Sequence, residues 1–313
     1  MSEDVTAAIE AVLENVASGV SPSEADVAQL MGSPDLIALG MAADAVCRRR
    51  HGDRVTFVQT VEAPLGGTLP EAPLLERTGE LRVTGRPESE AAAVSAIREA
   101  VAYAGVVPVT GFSFADLDEV SGHDLGRLGD LLLALRQAGL AQLGEVSAQG
   151  LHDPDAALAL LRDSGVVAAR LTLGTATGTG GVSLMRQVAS WSGVGDVCRS
   201  LAPLPREGPS PPSTGYADLR QVALARLLVD NIESIQVDWA LYGPKLAQVA
   251  LTFGADDVDA VPVVGVEEQG WRRSTGEVIR RNIAGAGFTA VPRDGRFKPV
   301  AAEASADRLG GRS

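Results

Sequence analysis

The feature that most constrains this chain is a strand–helix alternation that begins at residue 54 and continues to about residue 253. Val55, Phe57 and Val61 alternate with polar residues, the period of two that marks a strand. Strands are expected next over 81–84, 105–110, 141–147, 166–173, 196–203 and 234–241. Helical spacing fills the intervals 88–103, 123–138, 153–163, 183–191, 216–231 and 243–253. Units repeating in this order every ~30 residues read as parallel βαβ crossovers. Six or seven strands can be counted, which implies an α/β fold, a (β/α) TIM-type barrel. Val55 to Tyr216 is little chain beside the ~250 residues of a typical full barrel, so a shortened or partial one is expected. An open doubly wound sheet is the alternative, but no Gly-x-Gly-x-x-Gly follows a strand.

The flanks are helical. Residues 4–17 have amphipathic spacing, and Ser21-Pro22-Ser23-Glu24 has the form of a capping box. Ser33-Pro34-Asp35 opens a helix to about Arg50, with Arg48, Arg49 and Arg50 suited to its last turn and Gly52 as its stop. A further helix is expected from Ser274 to about Ala284. The resulting division is a helical extension over 1–53, a barrel over 54–260 with a proline-rich loop at 205–215, a second helical extension over 261–300, and a disordered tail over 301–313.

Composition excludes several classes of function. The net charge of −13 disfavours nucleic acid or an anionic membrane as partner. No apolar run approaches the ~20 residues that span a bilayer, and an acidic N-terminus does not resemble a signal peptide, so a cytoplasmic location is expected. Two cysteines, Cys47 and Cys198, cannot form a disulfide framework or a four-thiolate site. His51, His123 and His152 lack metal-ligand spacing, so no metal is expected.

Candidate site residues come from their place on the expected elements. Asp238 and Tyr242 flank Trp239 at the carboxyl end of a strand, where barrels carry function, and either ligand contact or simple alternation accounts for Asp238. Lys245 lies in the first turn of the next helix, where a cation opposes the dipole; ligand binding and a solvated surface are both open. Asp256 is read as a ligand contact or as a cap. Glu145 lies within a strand and could serve as a general base or face outward. The run Gly174 to Gly181, with Gly178 and Gly180, could cradle a phosphate or form a plain loop, and it lacks the ending of a P-loop.

Three stretches resemble the radical SAM enzymes of the futalosine route to menaquinone, aminofutalosine synthase and dehypoxanthine futalosine cyclase, and the related deazaflavin synthase. They are Asp35 to Arg54; Val222 to Ile232 with Trp239, Gly243, Lys245 and Phe253-Gly254-Ala255-Asp256-Asp257; and Ile279 through Gly287-Phe288-Thr289 to Arg293-Asp294. The resemblance implies a radical-SAM-like barrel. In that family Cys-x-x-x-Cys-x-x-Cys follows the first barrel strand and holds a [4Fe–4S] cluster that cleaves SAM. Here the corresponding stretch, Thr56 to Gly67, has no cysteine, so the cluster is expected to be absent, while SAM binding stays open. The function expected is that of a cluster-less, non-catalytic paralogue in menaquinone biosynthesis, binding a partner such as a true radical SAM paralogue or a nucleoside-like ligand. The alternative is polar, non-radical chemistry on a nucleoside or carboxylate at the barrel mouth, with Glu145 or Asp238 as base.

Overall fold

The computed structural model describes residues 11–12, 14–15, 18–20, 23–32, 35–174, 179–205, 215–263 and 275–300. Most of the helix expected over 4–17, most of the proline-rich loop, Gly178 and the tail over 301–313 lie outside these residues.

Eight strands run parallel in chain order: β1 (Arg54–Pro64), β2 (Glu80–Thr84), β3 (Val109–Ser113), β4 (Gln142–Ser147), β5 (Ala168–Leu173), β6 (Cys198–Pro203), β7 (Ser234–Asp238) and β8 (Asp257–Pro262). β1 pairs with both β8 and β2, so the sheet closes. The barrel is therefore complete, which corrects the expectation of a shortened or partial one. The strand missing from the sequence reading is β8. Its aspartates, Asp257 and Asp259, are poor strand formers and read as residues beyond a helix end. Their partners on other strands make the strand viable. The economy of length lies in the crossovers, whose main helices run to only 11 to 15 residues.

The strands also explain what the lumen contains. Along β5 the order is Arg170-Leu171-Thr172-Leu173, along β7 Ser234-Ile235-Gln236-Val237-Asp238, and along β8 Asp257-Val258-Asp259. Successive side chains point to opposite faces. Leu171, Ile235, Val237 and Val258 join the apolar core with helix residues such as Leu132, Leu158 and Val222. The polar members of the same strands meet one another instead. TIM barrels usually fill their interiors with branched apolar side chains, so this polar lumen is distinctive.

The helices begin where short acceptors can take orphan N–H groups. Asp35 caps α2 (Leu36–His51) by accepting from Ile37 and Ala38, and Gly52 ends it at φ 66°. At the start of α1 (Glu24–Gly32) Asp26 N–H donates to Ser23 Oγ and Ser23 N–H to Asp26 Oδ2, while Ser21 of the expected capping box lies outside the described residues. Further helices relevant to the site are α3 (Glu90–Ala104), α4 (Phe114–Val120), α5 (Leu125–Gln137), α6 (Pro154–Ser164), α7 (Thr179–Ser190), α8 (Tyr216–Leu228), α9 (Trp239–Leu251) and α10 (Thr275–Gly285). The strand expected over 234–241 stops at Asp238, because that side chain caps α9. Gly243, at φ 71° and ψ 156°, kinks α9 ahead of Pro244. After α10, a ninth strand, β9 (Thr289–Pro292), runs parallel to the first residues of β1. Among the described residues no helix is long and apolar enough to cross a membrane.

Candidate functional site

Two ionic clusters occupy the lumen. The lower one lies at the amino ends of the strands. Arg293, just beyond β9, donates from Nε and Nη2 to the two oxygens of Asp257, each at 2.6 Å. Thr56 Oγ1 and Gln236 Nε2 donate to the same carboxylate. The backbone can reach this point because residue 79 is glycine: a Cβ there would meet Arg293 O at 2.6 Å. Burial disfavours the charged form of Arg293, but Asp257 outweighs it and pushes the guanidinium above its ordinary value.

The upper cluster lies at the barrel mouth. Arg82 on β2 reaches Glu80 (2.8 Å) and both oxygens of Asp259 (2.8 and 3.1 Å). Arg170 on β5 crosses the lumen to Asp259 (3.0 Å) and Asp238 (3.2 Å), and it touches Glu145 on β4 at 3.2 Å. Burial alone would raise Asp259, but Arg82, Arg170 and Arg293 together hold its carboxyl well below the usual range. Asp238 moves the other way. Burial and the neighbouring Asp259 raise it, against the pull of Arg170. The mouth opens into a cavity of about 200 Å³ whose walls include Arg82, Arg170, Glu145 and Asp116.

Glu145 and Asp238, the two carboxylates picked out as weak catalytic candidates, are thus brought together by one guanidinium. Asp238 also accepts from the N–H groups of Ala240 and Leu241, so it caps α9 and faces the lumen at once. Asp238 closes β7, as its expected place at a strand end had it, and its side chain turns to the lumen rather than to a helix or solvent. The other candidates are dispersed. Tyr242 is buried, donates to Pro203 O at 2.8 Å, and has its hydroxyl pushed up by burial. Lys245 is exposed on α9 and Gly180 is exposed in the first turn of α7. Asp256 precedes β8 at the end opposite the mouth, where Arg226 Nη2, Ser234 Oγ and Ile235 N–H all donate to it. That arrangement ties α8 to the barrel and leaves Asp256 far from the carboxyl ends of the strands. Neither Arg82 nor Arg170 was singled out in the sequence. The signal was present: an arginine between apolar neighbours in a strand needs a buried acid, and acids recur on β4, β7 and β8.

The chain has two cysteines, fewer than the thiolates that hold a [4Fe–4S] cluster. The connection after β1 contains no thiol. Cys47 is buried in α2, with its Sγ 4.0 Å from Ala255 O, and Cys198 is buried at the amino end of β6. Burial pushes both thiols up to about 12, so neither is a ready nucleophile in the folded chain. Among the described residues no group of three or more His, Cys, Asp or Glu could hold a metal ion. The residues present do not fit a [4Fe–4S] cluster.

The fold and mouth define a (β/α)8 barrel with its candidate site at the carboxyl ends of the strands. The architecture is similar to methylornithine synthase (PylB), with a TM-score of 0.63 at 14% identity over 89% of this chain and 97% of that one. It is also similar to the FeFe-hydrogenase maturase HydG from Carboxydothermus hydrogenoformans, with a TM-score of 0.60 at 11% identity over 92% and 80%. At such identities the likeness is one of fold.

Sequence narrows the relation. Residues 206–304 match the family model described as the CofH/MqnC C-terminal region. Aminodeoxyfutalosine synthase of Thermus thermophilus is 49% identical over 93 residues, 28% of this chain and 25% of that protein. The Streptomyces coelicolor enzyme of the same name is 35% identical over 92 residues, 28% and 24%. A 5-amino-6-(D-ribitylamino)uracil–L-tyrosine 4-hydroxyphenyl transferase of Methanospirillum hungatei is 42% identical over 57 residues, 18% and 16%. The chain is related to the futalosine-pathway radical SAM family, and the first two matches span about a quarter of those relatives' length.

Proposed function

We propose that this chain works in menaquinone biosynthesis by the futalosine route as a cluster-less, non-catalytic relative of radical SAM enzymes, binding a nucleoside-like ligand or a partner enzyme of that pathway. One observation carries the reading: the connection after β1 has no cysteine, and the two thiols of the chain are buried elsewhere, Cys47 in α2 and Cys198 at the start of β6, too few and too scattered to hold a [4Fe–4S] cluster. The mouth supports binding, because Arg82, Arg170 and Glu145 present donors and an acceptor to a small cavity. Asp238 and Asp259 hold Arg170 in place, so its donors are aimed before any ligand arrives.

Anaerobic iron–sulfur reconstitution tests this directly. The expected outcome is no retained iron and no cluster absorbance. Iron at [4Fe–4S] stoichiometry would overturn the reading. Thermal-shift titration with SAM and with futalosine-type nucleosides, and affinity capture of a radical SAM paralogue, then separate ligand from partner.

A second reading rests on the approach of Glu145 and Asp238 to the same guanidinium, in unlike surroundings. Two carboxyl groups on either side of one guanidinium can divide acid and base roles in polar chemistry. Turnover of a nucleoside substrate that is lost in both Glu145→Gln and Asp238→Asn would favour it.

A further inference from the structure

Beyond the lumen, the carboxyl rim of the barrel carries a second concavity, of about 560 Å³. It opens between α4, the start of α5, and the connection from β4 into α6. Small-molecule sites typically enclose ~300–1,000 Å³. The floor is apolar, formed by Phe114, Leu151, Ala156 and Ala157. Leu125 stands beside it with 50% of its surface exposed, although it is large and apolar. The rim is polar and acidic. Asp118 Oδ2 lies 2.7 Å from His123 Nδ1, and Asp153 Oδ1 accepts from Ala156 N–H. His152 and Glu119 complete the rim, and Arg86 pairs with Glu119. Among the described residues the walls contain no lysine or arginine.

An apolar floor beneath carboxylates, with no lysine or arginine among the described wall residues, is complementary to one kind of small molecule. We infer that this groove binds an organic cation, an amine carried on an apolar ring or a short apolar chain. The ring would cover Phe114, Leu151 and Leu125, removing exposed apolar surface from water. The ammonium would sit at the rim between Asp118 and Asp153, donating charge-assisted hydrogen bonds to their carboxylates. An anion would face those carboxylates, and a neutral ring would make no ion pair with them. The inference does not depend on the fate of the cluster or on the mouth cavity.

The test uses benzylamine as probe and the full chain as receptor, followed by the imidazole proton resonances. Three histidines make this selective. His123 and His152 line the groove, whereas His51 lies at the far end of the barrel beside Glu233 O and serves as the internal control. The His123 and His152 resonances are expected to move saturably with one midpoint while His51 stays still. Asp118→Asn is expected to weaken the midpoint by about fivefold, the scale of an exposed ion pair. Leu125→Ala, at an exposed position that the fold does not depend on, weakens it without altering the selectivity for the amine. Benzyl alcohol acting at the same midpoint, benzoate binding more tightly than benzylamine, or shifts that never saturate would each overturn the inference.

Discussion

At the amino end of the lumen Arg293 grips Asp257, with 1% and 0% of their side chains exposed. At the carboxyl end Arg170 holds Asp238, Asp259 and Glu145, and the exposure of Glu145 rises to 37%. The two clusters use the same chemistry with different consequences. The lower pair is dry, bidentate and geometrically complete, so it locks the C-terminal segment under the barrel. The upper cluster shares one guanidinium among three acids and borders a cavity. A buried charge that is fully paired fixes a fold, whereas one held by several partners at an open mouth can exchange a partner for a ligand.

The largest effect expected is at the lower pair. Asp257→Ala should cost about 3–5 kcal/mol in urea unfolding, because it strands a buried guanidinium. The double variant Asp257→Leu with Arg293→Met should recover most of that loss, since replacing a whole buried pair is often neutral. A double variant as unstable as the single would show that the lower cluster is not an isolated pair.

Next comes Asp259, which should carry much of the acid sensitivity. Its folded carboxyl lies below the unfolded value of ~3.9, so its stabilisation is present above that value and is lost as pH falls through the folded one. Asp259→Asn should therefore flatten the acid limb of a stability–pH profile. Asp238 has the opposite sign. Its folded value is raised, so its favourable contribution is present below ~3.9 and is lost as pH rises through the folded value. Relative to the unaltered chain, Asp238→Asn should gain stability as pH rises, and the asparagine can still cap α9. Parallel profiles for the two variants would erase the distinction between them.

A smaller effect is expected at Glu145. Glu145→Gln should change stability by less than about 1 kcal/mol, because the pair is open to solvent. Larger loss would make the mouth as structural as the base. The smallest effect belongs to the thiols. Cys47 and Cys198 should resist thiol reagents at pH 8 in the folded chain and react once it is unfolded, read as absorbance of the released chromophore. Rapid labelling of the folded protein would show that α2 or β6 opens to solvent far more readily than the packing implies.

Much of this was legible in the sequence for local reasons. Asp35 caps the helix that Ser33-Pro34-Asp35 announced, and Asp124 and Asp153 cap helices at the expected starts of 123–138 and 153–163. Gly52 ends α2, and β4, β5 and β6 fall within three residues of their expected bounds. Glu145 and Asp238 were found because polar residues near strand ends are conspicuous. β8 was not found, because Asp257 and Asp259 look like loop residues until Arg82, Arg170 and Arg293 are placed opposite them. The groove between α4 and α6 was also invisible, since no spacing rule connects His123 with His152.

By itself the sequence determined the period of the elements, several of their caps, the parallel α/β class and a chain with only two cysteines. Each of these depends on neighbours a few residues apart or on composition alone. Only the tertiary structure decided that the barrel closes with eight strands and that its interior is ionic. Arg82 meets Asp259 across 177 positions of chain, and Arg170 meets Asp238 across 68. Such partners are selected by closure of the sheet, which turns alternate residues of separate strands into one shared surface.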